Sequence, residues 1–243
     1  MEIRRNPNLG KKRVGIILPS VNCIMEPELY HVAPKGIGFF TTRVYLAQTT
    51  PEALIQMEDD LDSAARLLST VNPDAVVYAC TSGSFIKGLG WDQVIIDKIQ
   101  DMVGCPATTT STAMVQGLKA LNICRLAVAT PYMDSVNERE EEFLNKNGFN
   151  VVSCLGLGLS GPAIREQPPE TVYELVRNVD RTDADGVFVS CTDFRAMEVI
   201  GTLEATLGKP VVSSNQASLW ALLKMLHCTG GIPGYGRLLA EMP

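Results

Sequence analysis

Short apolar runs alternate with helical patterns along the chain, and this alternation restricts the fold more than any other feature. Eight runs read as strands: residues 13–18, 38–46 and 74–79, the stretch "CPATT", residues 125–130, and the stretches "NVVSCLGLG", "GVFVS" and "PVVSS". "RVGIIL" is almost continuously apolar, as expected of a strand covered on both faces. In "TTPEALIQMEDDLDSAARLLST", Thr50 can cap, Pro51 takes the first helical position, and Leu54, Met57, Leu61, Ala64 and Leu68 mark one helical face. Further helices are expected over residues 91–102 and 197–207 and over "STAMVQGLKAL", "SVNEREEEFLNKNG", "PETVYELVRNVD" and "ASLWALLKML". Repeated βα alternation implies an α/β chain with parallel sheets and helices on both faces.

A repeat sharpens this expectation. "GIILPSVN" and "AVATPYMDSVN" are each a strand that ends in proline and passes into polar residues. Pro19 and Pro131 lie 112 positions apart, and Cys80 and Cys191 lie 111 apart. "CPATTTSTAMVQGLKAL" and "KPVVSSNQASLWALLKML" also match as strand, Ser/Thr turn and helix. We therefore expect two pseudo-symmetric Rossmann-like halves, residues 1–118 and 119–243, with the last helix a candidate to cross over. Ligands of open α/β sheets bind beyond the carboxyl ends of the strands, so the active site belongs in the cleft between the halves.

Two stretches place a thiol at such a strand end: "VVYACTSGSF" at Cys80 and "VFVSCTDF" at Cys191. A thiol that opens a helix is acidified by the helix dipole. The residues that follow, Thr81, Ser82, Gly83 and Ser84 in one case and Thr192 and Asp193 in the other, offer amides and hydroxyls that cradle a carboxylate without arginine. Facing thiols supply a base on one side of a substrate and an acid on the other. They suit proton removal and return beside a carboxylate, or thiolate attack on an activated C=C followed by protonation.

Composition excludes other classes. The formal charge of −6 argues against nucleic acid or an anionic membrane as partner, and "KKR" at residues 11–13 is the only basic cluster. No apolar run reaches the ~18 residues of a membrane span, and "MEIRRNPNLGKK" lacks a hydrophobic signal region, so a cytoplasmic location is expected. The seven cysteines show no C-x-x-C pair and no Cys/His grouping, so neither a zinc site nor a disulfide framework is expected. Cys105, Cys124, Cys154 and Cys228 read as small buried hydrophobes.

"GIILPSVNCIMEPEL", "YACTSGSF", "TTTSTAMVQGLKAL", "ATPYMDSVNE", "SCTDF", "GKPVVSSNQASLWALL" and "PGYGRLL" together resemble the Asp/Glu racemase superfamily, in its maleate cis–trans isomerase and arylmalonate decarboxylase branch. The resemblance implies an enzyme that needs no cofactor or metal and acts on a small carboxylate, here maleate to fumarate. Cys80 would be the nucleophile and Cys191 the opposing acid. It assigns substrate contacts to Asn22, Thr81, Ser82, Tyr132 and Thr192, and a homo-oligomer, a dimer, is expected. Two departures matter. The decarboxylases carry glycine at the first cysteine position, whereas this chain carries both thiols. The isomerases carry an Asp-Asn step where this chain reads "LSGPAI", near Ser160 and Gly161. An amino-acid or hydantoin racemase, an arylmalonate-type decarboxylase and a non-catalytic small-acid sensor are the alternatives.

Other signals carry less. "GLGLSG" fits G-x-G-x-x-G by letter but lacks the strand and acidic residue of a dinucleotide site. "EREEE" reads as a solvated helix face, His31 and His227 have no metal-ligating companions nearby in sequence, and Arg195 is within one turn of Cys191.

Overall fold

The computed structural model describes residues 11–242. The N-terminal stretch read for a signal region lies, for residues 1–10, outside the described residues. The chain order is β1 (Lys12–Pro19), α1 (Met25–Val32), β2 (Ile37–Val44), α2 (Pro51–Gln56), α3 (Leu61–Ser69), β3 (Ala75–Tyr78), α4 (Thr81–Phe85), α5 (Trp91–Val103), β4 (Ala107–Thr109) and α6 (Thr110–Ala120). It continues with β5 (Arg125–Thr130), α7 (Asp134–Lys146), β6 (Asn150–Gly156), α8 (Pro162–Arg165), α9 (Pro169–Val179), β7 (Gly186–Val189), α10 (Ile200–Leu207), β8 (Val211–Ser213), α11 (Ser214–Met225) and α12 (Arg237–Ala240). All eight apolar runs are strands. The single helix read over residues 51–69 is interrupted by a 3₁₀ turn at Met57–Asp60. α1 had no sequence reading: with only eight residues it shows barely two turns of periodicity.

The repeat is present in three dimensions. One sheet has the order β2-β1-β3-β4 and the other β6-β5-β7-β8, every pair parallel. Equivalent bonds recur in both. The Asp74 carboxylate accepts from the Arg13 amide at 2.7 Å, and the Asp185 carboxylate from the Arg125 amide at the same distance. Val76 and Val187 each donate to the carbonyl of the proline before the last strand, Pro106 and Pro210, at 3.0 Å.

The central strands are apolar on both faces because helices cover both. Val14, Ile16, Ile17 and Leu18 in β1, and Val187, Phe188 and Val189 in β7, are all fully buried. Each such side chain contributes about 1.5–3 kcal/mol on leaving water. α6 and α11 start directly at the ends of β4 and β8, capped by the Thr109 and Ser213 hydroxyls. They pack on each other, and α11 also reaches β3 and β4 while α6 reaches β8, which knits the halves together. The seam is polar: Thr81 Oγ1 donates to Ser214 Oγ at 2.8 Å and Ser218 Oγ to Thr110 Oγ1 at 3.1 Å. No helix among the described residues is long and apolar enough to cross a membrane.

Candidate active site

Both thiols sit two residues beyond equivalent strand ends, Cys80 after β3 and Cys191 after β7. Both line one narrow pocket between the sheets. Asn22, Thr81, Ser82, Tyr132 and Thr192 line the same pocket, so the fold brings all seven sequence-selected residues together. Leu46, Thr49, Gly161, Ile164 and Asp193 complete much of the wall. Among the described residues no Lys, Arg or His lines it.

The two cysteines differ in backbone setting. Cys80 is the N-cap of α4, with φ −139°, and its sulfur accepts the Gly83 amide at 3.3 Å. Ser82 Oγ lies 3.8 Å from the same sulfur. Gly83 lets the chain pass close to the thiol: a Cβ there would stand 2.5 Å from the Met57 methyl, which would have to move, and 3.1 Å from the Cys80 sulfur. Cys191 has φ +87°, a region that L-residues other than Asn and Asp rarely enter. Such strain costs of order 1–3 kcal/mol and turns the thiol into the cleft. Its sulfur accepts the Asp193 amide at 3.4 Å, and Tyr132 stands beside it.

The expected acidification by helix dipoles does not hold. α4 has only five residues, and no helix follows Cys191 until α10 at Ile200. Burial dominates instead. It pushes the Cys80 thiol up to about 11 against the opposing Gly83 and Ser82 hydrogen bonds. Burial pushes the Cys191 thiol higher still, helped by the neighbouring Asp193 charge. Both cysteines are therefore thiols at neutral pH.

A count of donors refines the cradle. Thr81 gives its hydroxyl proton to Ser214, and Thr192 gives its own to the Ala79 carbonyl at 3.1 Å. Neither hydroxyl has a proton left for a ligand. Asn22 Oδ1 accepts the Ile24 and Met25 amides, each at 3.1 Å, and one Nδ2 hydrogen goes to Thr192 Oγ1 at 3.0 Å. The second Nδ2 hydrogen and the Thr49 hydroxyl remain, while the Ser82 and Tyr132 hydroxyls stand beside the Cys80 and Cys191 sulfurs and reach a ligand by turning from them.

Bonds between the halves close the cleft. The Thr49 amide donates to Ser160 Oγ at 2.7 Å, Arg165 Nη1 to the Val21 carbonyl at 2.9 Å, and the Cys23 amide to Asp193 Oδ1 at 2.7 Å. Gly161 has φ +56°, and a Cβ on it would meet the Ala47 carbonyl at 2.7 Å and the Gln48 side chain at 3.0 Å. The loop in this conformation thus excludes any side chain at 161. "GLGLSG" runs from the last residue of β6 to this N-cap of α8, which has only four residues. Arg195 lies outside the pocket and pairs with Glu198 at 2.8 Å. His31 faces Tyr235, and no group of three or more potential metal ligands occurs among the described residues. The Asp193 side chain was missed: an acid two residues after a thiol was the available signal, but its direction depends on the turn at Cys191.

The family profile described as arylmalonate decarboxylase matches residues 14–239. An arylmalonate decarboxylase of Bordetella bronchiseptica is 32% identical, with 94% of this chain and 96% of that one covered. A maleate isomerase of Nocardia farcinica (strain IFM 10152) is 27% identical, covering 96% and 97%. The crystal structure of a variant maleate isomerase from Pseudomonas putida S16 with maleate superposes with a TM-score of 0.91 at 28% identity, covering 94% of this chain and 97% of that one. The chain belongs to the arylmalonate decarboxylase family, the branch of the Asp/Glu racemase superfamily whose enzymes include the maleate isomerases.

Proposed function

We propose that the protein is a cofactor-independent cis–trans isomerase that converts a small dicarboxylate, maleate to fumarate, through Cys80 and Cys191. The observation that carries this reading is the pair of thiols presented to one pocket from equivalent strand ends. Cys80 releases its proton to solvent water once, before the cycle, and the thiolate adds to one alkene carbon, forming an S–C bond. The π pair moves to the neighbouring carbon as a carboxylate-stabilised carbanion, which the Cys191 thiol protonates. Rotation about the new single bond, return of the proton to Cys191 and expulsion of the Cys80 thiolate give the trans alkene.

The high Cys80 value fits this role. Ionising a thiol held at about 11 costs about 5 kcal/mol at pH 7. A turnover of ~10 s⁻¹ corresponds to a barrier of about 16 kcal/mol, so the cost is a minor part of it. Asn22, Ser82 and Tyr132 supply hydrogen bonds to the substrate carboxylates, with the backbone around Thr81 and Thr192. The protein works in the cytoplasm as a homo-oligomer, without nucleic acid or membrane partners.

Proton NMR of maleate with the purified protein and no added cofactor tests the reading: fumarate appears, and Cys80→Ala and Cys191→Ala each abolish it. Most of the activity surviving in either variant overturns the two-thiol mechanism. Arylmalonate decarboxylation is the second reading, favoured by the side-chain-free position at Gly161, and CO₂ release from phenylmalonate without fumarate formation selects it.

A further inference from the structure

Asp193 lines the pocket with a carboxyl group that is only half engaged. Its Oδ1 accepts the Cys23 amide at 2.7 Å, and the Ile24 amide, itself bonded to Asn22 Oδ1, is close enough to favour the carboxylate. Its Oδ2 is buried, and among the described residues it has no hydrogen-bond partner. The residue as a whole is 5% exposed. A buried polar atom left in this state costs about 1–3 kcal/mol.

The groups facing Asp193 come from four elements. The loop after β1 gives Cys23 and Ile24, through backbone amides. The loop after β7 gives Cys191, whose thiol feels the Asp193 charge. α8 gives Arg165 and β2 gives Arg43, both close enough to favour the Asp193 anion. Neither arginine forms an ion pair with it. Arg165 holds the Val21 carbonyl, and Arg43 holds the Asn22 carbonyl at 2.6 Å and the Glu26 carboxylate. A ligand carboxylate at this end of the pocket therefore meets a second carboxyl with no cation between them. Two carboxylates sharing one buried site cannot both ionise; one of them keeps a proton.

We propose that Asp193 binds one carboxylate of the substrate as a carboxylic acid, donating from Oδ2, so that a dicarboxylate enters the pocket with uptake of one proton. This inference rests on the reading of the ligand as a dicarboxylate, not on the reaction it undergoes. It makes Asp193 a specificity residue. A dianion is bound as if it carried one charge fewer, and affinity falls as pH rises above the range in which free Asp193, raised by burial to about 6, holds its own proton.

The test is titration calorimetry of maleate and malonate into the Cys80→Ala variant, in two buffers of different ionisation enthalpy, at pH 5 and pH 7.5. The expected uptake is close to one proton at pH 7.5; at pH 5, where Asp193 and the second carboxyl of the free ligand both already hold protons, the expectation reverses to a net release. Asp193→Asn, whose amide is a donor at every pH, should abolish the uptake and bind at pH 7.5 at least as tightly as the parent. Absence of uptake at pH 7.5, uptake that persists in Asp193→Asn, or a tenfold loss of affinity in that variant overturns the proposal. The last result would mean that Oδ2 accepts from a ligand hydroxyl or ammonium. Failure of maleate, malonate and succinate all to bind also overturns it. Binding with uptake, while the unaltered enzyme leaves maleate unisomerised, sinks the proposed reaction and leaves the role of Asp193 standing.

Discussion

Glu140 on α7 is fully buried beneath the second sheet. Its Oε1 accepts the Ser190 hydroxyl at 2.6 Å, and among the described residues its Oε2 has no partner. Burial raises this carboxyl from 4.5 to about 8. Between those values the native chain keeps a proton that the unfolded chain has released, so stability falls as pH rises. The slope is up to about 1.4 kcal/mol per pH unit, and the loss is complete near pH 8. Across the whole window Glu140 costs about 5 kcal/mol. Glu28, also raised to about 8 by burial, loses stability over the same range. Glu140→Gln keeps an acceptor for Ser190 and removes the titration. At pH 4.5 it replaces one unpartnered donor, the carboxyl O–H, with another, the amide, so the two proteins should agree within about 1 kcal/mol there. At pH 8 the variant should be more stable by about 4–5 kcal/mol, with the Glu28 dependence still present. Urea denaturation followed by circular dichroism at pH 4.5, 6, 7 and 8 measures this. Parallel stability curves for the two proteins would show that Glu140 is ionised in the native state, and the argument from burial would fail.

Two further outcomes follow from the thiols. Cys191 occupies φ +87°, which glycine adopts freely and alanine does not, so Cys191→Gly should be more stable than Cys191→Ala by about 1 kcal/mol although both are inactive; equal or reversed melting temperatures refute the strain. Iodoacetamide labelling, resolved by peptide mass spectrometry without substrate, should modify exposed Cys23 and Cys124 first. The Cys80 rate should climb about tenfold per pH unit from pH 7 to 9, because the thiolate fraction does. A plateau below pH 9 would contradict the burial effect.

The strands and the doubled architecture were legible in the chain alone. Strands buried on both faces must be continuously apolar, and a parallel sheet needs a helical crossover between its strands, so both leave a one-dimensional signature in runs such as "RVGIIL" and "VVYA". The equivalence of Cys80 and Cys191 was legible for the same reason: a repeat preserves spacing. What the thiols are like, and which neighbours remain free to act, follows from packing in three dimensions. The Cys191 turn, the short α4 and the depth of burial set the thiol acidity against the helix-dipole expectation, because desolvation depends on everything packed around a group and not on its sequence neighbours. The hydroxyl protons of Thr81 and Thr192 are committed to Ser214 and Ala79, the latter 113 residues from Thr192, and Asp193 meets Cys23 across 170. Hydrogen bonds between the halves form only once both sheets are placed, so neither the donors left for a ligand nor the free oxygen of Asp193 has any local trace in the chain.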